Sequence, residues 1–308
     1  MRTTFINVLL EKAKIDEKIF LLTPDMGFSV FEQFIKEYPD RFLNTGVAEQ
    51  NAIGVAIGLA LSGFKPYVYS IAPFILMRCY EQIRIGAAYM QANIKIIGVG
   101  GGFAYGPQGT THHIIEDFAI TKVLPNMIVC APADPIEAKN IFEQSLSLES
   151  PMYIRLSKNN EPNIHKIDDK IIIGKAFTIV DGNDIEIITT GTIAKRVIEW
   201  LPELNEQGLS VGITIFHTIK PLDNDYLNKL IESNKNVLIM EEHNLIGGLG
   251  ESICAYMKQK DAQNRIRILG IPDIYSHYIG SQTYILEKIG LWPVPNIKTL
   301  FNLDAVKE

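Results

Sequence analysis

Short apolar runs alternate along this chain with longer stretches in which apolar residues return every three or four positions, and the two rhythms predict strands and helices in turn. Residues 5–14 have the helical spacing, and residues 19–22 form an apolar strand run that ends in the turn Thr23-Pro24-Asp25. A helix over residues 31–37 and the end of a short strand at Phe42, Leu43 and Asn44 come next. Beyond Gly63 the pattern predicts a break at Lys65-Pro66, a strand in YVYSIA, one long helix over residues 74–89, and a strand over residues 94–102, IKIIGVGGG, running into a glycine-rich loop. A helix beginning near His113, a strand over residues 127–131 and a helix after Pro135 complete a first unit. Residues 159–170 are polar without an apolar period and read as a linker. The rhythm resumes in IEIITTG, a helix around residues 194–204, VGITIF, a helix over residues 225–233, NVLIMEE, a helix after Gly250 and IRILGI, while the residues after Pro293 read as a surface tail. The expectation is an α/β fold of two consecutive domains, residues 1–162 and 171–308 joined by a linker at 163–170, each a mainly parallel sheet with helices on both faces. In such sheets ligands gather at the carboxyl ends of strands. Residues 45–49, 72–74, 100–113 and 157–160 fall at such ends, so an acid, an aromatic ring and two histidines are expected on one rim.

The segment over residues 41–63, RFLNTGVAEQNAIGVAIGLALSG, departs from the usual amphipathic pattern. Two rows of small residues, Ala52/Ala56/Ala60 and Gly54/Gly58/Ser62, recur at i+4 among Ile53, Val55, Ile57, Leu59 and Leu61, which makes a helix apolar on every side. Glycine inside a helix costs roughly 1 kcal/mol relative to alanine, so two in one register imply close approach of another backbone. A buried, tightly crossed helix at a subunit interface is expected. Glu49, in its first turn, is either a helix cap favoured by the macrodipole or a functional acid kept in a dry site.

Composition narrows the function. At 308 residues and 47% hydrophobic the chain buries ample core and exceeds the size at which single domains stop growing. A net charge of −6 without a long basic run argues against a dedicated nucleic-acid binder. Cys79, Cys130 and Cys254 are far apart and odd in number, which reads as reduced core thiols in a cytoplasmic protein. No stretch offers ~20 uninterrupted apolar residues and the first residues carry no cleavable leader pattern, so a soluble protein without a membrane partner is expected. GVGGGF has neither the dinucleotide fingerprint nor the Gly-Lys-Ser/Thr of a P-loop, and its glycines are expected to make room at the strand end. GGLG at 247–250 suits an anion site at a helix start, although a shaped turn is the expected reading. His112 and His113 lack a nearby third ligand, so no metal site is expected in this chain.

In order along the chain, GVAEQNAIGVAIGLALSGFKPYVYSIAPF, GTTHH, ESPMYIRLSK and EEHNLIGGLGESI resemble the pyrimidine-binding and C-terminal domains of the transketolase family, which includes deoxyxylulose-phosphate synthase. The resemblance covers nearly the whole chain, with GVAEQ and KPYVYSIAPF its most specific blocks. It implies dependence on thiamine diphosphate and Mg2+. Full-length members bind the diphosphate and the metal through a Gly-Asp-Gly motif in an N-terminal domain. The only Asp-Gly here, Asp181-Gly182, lies in a VDGND turn. The resemblance therefore implies the C-terminal subunit of a split transketolase, moving a two-carbon ketol unit from a ketose or ketose phosphate to an aldehyde or ketone sugar. The Mg2+ ligands would lie on a separate N-terminal subunit, most simply in an assembly of two copies of each chain.

The resemblance also implies roles for single residues. Glu49 would bond pyrimidine N1′ and favour the imino form of the 4′-amino group, which takes the thiazolium C2 proton, and it would do so best out of water. Phe74 would stack on the aminopyrimidine. His112 of GTTHH would bond the oxygen of the donor or of the enaminol intermediate, and Arg78 and Lys158 would hold substrate phosphate. Asp25 stands where transketolases place a phosphate-binding serine, Gln108 near the position of an aspartate that contacts the sugar hydroxyl, and the loop near Gly100 where a second phosphate-contacting histidine belongs. An acid where an anion should sit is repulsive, so the acceptor is expected to differ from an ordinary pentose phosphate. The β subunit of a 2-oxoacid dehydrogenase shares both domains, but GTTHH and RCYEQIR favour transketolase. A non-catalytic binding subunit would have no use for Glu49, Phe74 and His112 together.

Overall fold

The structure, a computed structural model, describes residues 1–158 and 161–303. Asn159 and Asn160, which open the expected linker and close the expected turn at 157–160, and residues 304–308 of the expected tail lie outside it.

The first domain contributes β1 (Ile19–Thr23), β2 (Phe42–Asn44), β3 (Lys65–Ile71), β4 (Lys95–Val99), β5 (Ile128–Cys130) and β6 (Met152–Leu156), and the second β7 (Phe177–Val180), β8 (Ile185–Thr189), β9 (Val211–Ile215), β10 (Thr218–Lys220), β11 (Asn236–Asn244) and β12 (Ile266–Ile271). They form a seven-stranded sheet in the order β10-β5-β6-β4-β3-β1-β2 and a five-stranded sheet in the order β12-β11-β8-β9-β7. All pairings are parallel except those of the edge strands β10, on β5, and β7, on β9. Strands β4, β6, β8 and β9 are buried along their whole length, as expected of parallel strands covered on both faces. The chain is thus an α/β protein of two consecutive domains. Because β10 comes from the second half of the chain, the first sheet is closed by the second domain's own strand. One apolar cluster runs across both, from Ile53 and Ile75 to Phe216, Leu249 and Ile253.

Several local expectations are corrected. The Lys65-Pro66 pair does not break the chain but opens β3, where proline suits a strand start. The strand expected over 94–102 ends at Val99. The long helix over 74–89 is divided into Ala72–Met77, Tyr80–Gln82 and a π-helical Ile83–Tyr89. The break frees the Arg78 carbonyl, which accepts a hydrogen bond from Gln50 Nε2 at 3.0 Å. No helix begins at His113. His112 lies in a turn and His113 in irregular chain, and the helix is Asp117–Lys122. The expected tail contains a helix, Ile297–Phe301, whose Ile297 and Phe301 are buried in the cluster that includes Trp200. At GGLG the helix start does receive an anion, but an internal one: Leu249 and Gly250 N–H donate to the two oxygens of Glu241 at 2.7 and 2.9 Å.

Two alignments prepare the site. Thr23 lies opposite Asn44 at the ends of β1 and β2, and Ile71, Val99 and Leu156 lie level at the ends of β3, β4 and β6. The loops that follow therefore leave the sheet at nearly the same height. In the helix Glu49–Leu61, the row Ala52/Ala56 faces the core while Gly54, Gly58, Leu61 and Ser62 are exposed. A Cβ at Gly54 or Gly58 would meet nothing within 4 Å. Burial on every side is therefore not a property of the single chain, because the first small-residue row fills the contact with β3 and the second is left on the outer face. The close approach that the small residues predicted occurs instead at Gly86, where a Cβ would press on the Ile57 side chain. Among the described residues no helix is long and apolar enough to cross a membrane.

Candidate active site

Glu49 is the first residue of its helix and only 5% exposed. The preceding residue, Ala48, has no side-chain acceptor to cap the helix, so Glu49 brings a carboxylate to helix N–H groups that lack one. It does not close back on them. Its Oε2 accepts from Arg78 Nη1 at 3.0 Å, and among the described residues Oε1 accepts no hydrogen bond. Arg78 sits at the break after the Ala72–Met77 helix, and that break turns it toward Glu49. Its guanidinium lies 4.6 Å from the centre of the Phe74 ring, while half of its side chain remains exposed.

From Phe74 the cluster continues through aromatic contacts. The His112 ring meets Phe74 edge-on with centroids 5.1 Å apart and lies 5.9 Å from Tyr105, whose ring carries Lys158 Nζ at 4.6 Å. Six residues from the ends of β2, β3, β4 and β6 thus form one continuous row: Glu49, Arg78, Phe74, His112, Tyr105 and Lys158. Burial and the Lys158 charge hold the His112 ring below the ordinary imidazole range, which keeps it neutral near pH 7. A neutral ring both donates and accepts, and one of its nitrogens, Nδ1, is already 3.0 Å from Thr111 Oγ1. Burial also lowers His113, while its bond to the Gly106 carbonyl at 3.3 Å pulls the other way. Cys79, next to Arg78, is pushed up to about 12 by burial and is no nucleophile.

The remaining expected residues lie beside this row. Asp25 has a positive φ of 56° and is held across the β1 and β2 ends by Asn44, whose Oδ1 accepts the Asp25 N–H at 3.0 Å and whose Nδ2 donates to Asp25 Oδ1 at 3.1 Å. Gln108 is exposed in the short Gly106–Gln108 turn, and among the described residues its side chain makes no hydrogen bond to the row. The glycines after β4 do make room, but for this chain's own side chains. A Cβ at Gly100 would fall on the Tyr105 ring, at Gly101 on Arg155 and at Gly102 on the Glu242 carboxyl group.

Tyr105, Arg155 and Glu242 escaped the sequence reading. A signal existed for Glu242. Two consecutive glutamates closing the apolar run NVLIMEE must be buried, and a buried carboxylate needs partners. Tyr105 had no such mark, since a tyrosine in a glycine-rich turn is ordinary. Among the described residues no group of three or more His, Cys, Asp or Glu side chains is arranged to hold a metal ion.

Comparison with known proteins follows the same division of the chain. Residues 1–163 match the transketolase pyrimidine binding domain and residues 174–291 the transketolase C-terminal domain. The chain is 34% identical over 289 residues to an apulose-4-phosphate transketolase subunit of Phocaeicola vulgatus, covering 90% of this chain and 92% of that one. It is 32% identical over 292 residues to a 6-deoxy-6-sulfo-D-fructose transketolase subunit of Clostridium sp., covering 94% and 90%. A solved structure, a split gene transketolase described as an inactive beta4 tetramer, superposes with a TM-score of 0.85 at 30% identity over 94% of this chain and 93% of that one.

Proposed function

The chain belongs to the transketolase family, and from that premise we propose that it is the C-terminal subunit of a split, thiamine-diphosphate-dependent transketolase in which Glu49 activates the cofactor. The observation that carries this reading is Glu49: a largely buried carboxylate at a helix start, with one oxygen on Arg78 and the other, among the described residues, accessible and accepting no hydrogen bond. An accessible carboxylate oxygen at the mouth of a largely dry helix can accept a charge-assisted hydrogen bond from a ring nitrogen carrying a proton, a bond roughly twice as strong as a neutral one. The residues present thus suit the pyrimidine end of the cofactor. Bound thiamine diphosphate would supply a thiazolium carbon that loses its proton and attacks the ketose carbonyl.

The chain's own residues would do the following. Glu49 would hold a proton at pyrimidine N1′, with the surrounding apolar helix keeping water from weakening that bond. Phe74 would give the ring an aromatic neighbour. His112, neutral and ringed by Phe74 and Tyr105, would donate to or accept from the donor's oxygen. Arg78 and Lys158 would bind an anionic substituent of the substrate. Arg78 is engaged with Glu49 and stacked on Phe74, so its exposed guanidinium would have to turn outward to do this. The relatives named above act on a phosphorylated and a sulfonated ketose, which supports a donor bearing an anionic group here as well. Asp25 beside Asn44 would then act against an anion at that end of the rim and favour a hydroxyl.

The diphosphate and Mg2+ would be held by an N-terminal partner subunit. Asp181-Gly182 lies in the short connection between β7 and β8 of the second domain, where the Gly182 carbonyl accepts from Lys235 Nζ at 2.5 Å. The open face of Gly54, Gly58 and Leu61 suits a closely approaching partner helix, in an assembly of two copies of each chain and in the cytoplasm. The isolated chain is expected to be inactive and to bind the cofactor weakly. Mixing with the product of a neighbouring gene that carries Gly-Asp-Gly should restore transfer from a panel of phosphorylated and sulfonated ketoses, with light scattering reporting the two-plus-two assembly. Full activity of the chain on its own would disprove the split site.

His112→Ala is expected to reduce donor turnover by about 10²–10³-fold in the reconstituted enzyme and to leave hydrogen exchange at thiazolium C2 nearly intact, because its proposed contact is with the substrate. Equal losses in both measurements would remove His112 from that role.

A further inference from the structure

The segment that carries His112 begins at the three glycines after β4 and is closed at its base. Gly102 and Ile114 exchange both backbone hydrogen bonds, at 2.8 and 3.1 Å, so residues 103–113 form a loop pinched at its neck. Glu242, on β11 of the second domain, reaches across to that neck. Its Oε1 accepts the Phe103 N–H at 2.8 Å, and Gln282 Nε2 donates to its two oxygens at 2.9 and 2.7 Å. Gly102 can only be glycine here, since a Cβ would occupy the carboxyl group and its φ is +61°. Gly101 makes the same allowance for Arg155, whose Nη2 donates to the Glu242 main-chain carbonyl at 2.9 Å. At the far side of the loop Thr110 Oγ1 donates to the Ser276 carbonyl, again in the second domain, at 2.9 Å.

The path from this neck to the site is short. The Phe103 ring meets His113 edge-on at 5.1 Å, and Tyr105, which fills the space beside Gly100, meets His112 at 5.9 Å. A buried carboxylate that accepts from Phe103 N–H and, through both oxygens, from Gln282 Nε2 is a rigid anchor, because every alternative leaves donors unpaired in the interior. We propose that Glu242 is a positioning residue for His112: a carboxylate of the C-terminal domain that fixes the neck of the first domain's histidine loop. This gives the second domain a task in the reaction although the row of site residues lies wholly in the first. The inference rests on the reading of His112 as a substrate-binding group.

The test uses the complex reconstituted with the N-terminal subunit, and the variants Glu242→Ala and Glu242→Gln. Glu242→Ala is expected to lower kcat/KM for the donor by about tenfold to a hundredfold, the range that a small misplacement of a binding group produces. Exchange at thiazolium C2, which depends on Glu49 on a different element, should stay within about threefold. Glu242→Gln should recover most of the loss, since an amide oxygen still accepts the Phe103 N–H and Gln282 can turn its own amide to face the new NH2 group. In the chain by itself, amide hydrogen exchange at Phe103 should accelerate at least tenfold in Glu242→Ala and not in Glu242→Gln. If Glu242→Ala does not fold, Gln282→Ala asks the same question and should give a smaller loss of the same kind. Parallel loss of transfer and C2 exchange would reduce Glu242 to a general structural group, and unchanged transfer despite a lost Phe103 protection would break the link to His112; either overturns the proposal. A wild-type complex that performs neither reaction overturns the transketolase reading itself, a result visible before any variant is compared.

Discussion

Glu49→Gln is expected to lower kcat of the reconstituted enzyme by about 10²–10⁴-fold, with a matching fall in hydrogen exchange at thiazolium C2. Glutamine keeps the length and an oxygen that Arg78 Nη1 can still reach, but it cannot carry the negative charge that holds a proton at the pyrimidine nitrogen. Magnitudes separate this from a loss of structure. The rate effect corresponds to about 2.7–5.5 kcal/mol of transition-state stabilisation. The charge at the helix start is worth about 0.3–1 kcal/mol to the fold, and the ion pair with a half-exposed Arg78 adds about 0–1 kcal/mol. The variant should therefore unfold within about 2 kcal/mol of the wild type while losing nearly all activity. Normal C2 exchange in Glu49→Gln would leave the residue as a helix cap and remove the centre of the proposed mechanism.

Much of the framework was readable before the structure because it depends on local pattern. A strand run such as VLIM in NVLIMEE is apolar on both faces, and only a covered parallel sheet has use for it. The position of Glu49 was readable for the same reason, since an acid before an uninterrupted apolar helix is conspicuous. What escaped depends on contacts distant in sequence. The break at Arg78 leaves no proline or glycine mark. It is stabilised by Gln50, 28 positions earlier in the chain. The helix Ile297–Phe301 follows Pro293 and Pro295 and is only five residues long, too short for a helical period to show, yet Asn296 caps it and Trp200 awaits its buried face. The glycines at 100–102 were rightly read as making room, but sequence could not name the occupants, because Arg155 comes from β6, which neighbours β4 in the sheet but follows β5 in the chain, and Glu242 comes from the other domain. The outward face of Gly54 and Gly58 is the reverse case: the residues announced close contact, and within the single chain a Cβ at either would meet nothing within 4 Å.

Arg155→Met should destabilise the chain by about 3–5 kcal/mol, the cost of leaving a buried carboxylate without its cation. That carboxylate is Asp117, fully buried at the start of its helix, which accepts the Tyr153 hydroxyl at 2.8 Å and Arg155 Nη1 at 3.3 Å. Methionine fills a similar volume and preserves the contact with Phe118, over whose ring the guanidinium sits at 4.7 Å, so the loss is electrostatic rather than a cavity. His243 does not replace the arginine. Its Nε2 lies 3.9 Å from Asp117 Oδ1, and burial lowers it to about 4, so it is uncharged at neutral pH. Asp117→Asn in the Arg155→Met background removes the stranded charge and keeps an acceptor for Tyr153, and it should return about 1–3 kcal/mol. Asp117→Asn by itself should also destabilise, because the new NH2 group can then point at the Arg155 guanidinium, where two donors meet. The two single changes are therefore expected to be strongly non-additive in a double-mutant cycle read by urea unfolding. Additive losses, or an Arg155→Met chain within about 1 kcal/mol of the wild type, would show that Tyr153 alone suffices for Asp117, and the bond from Arg155 to the Glu242 carbonyl would then be an incidental tie between the domains.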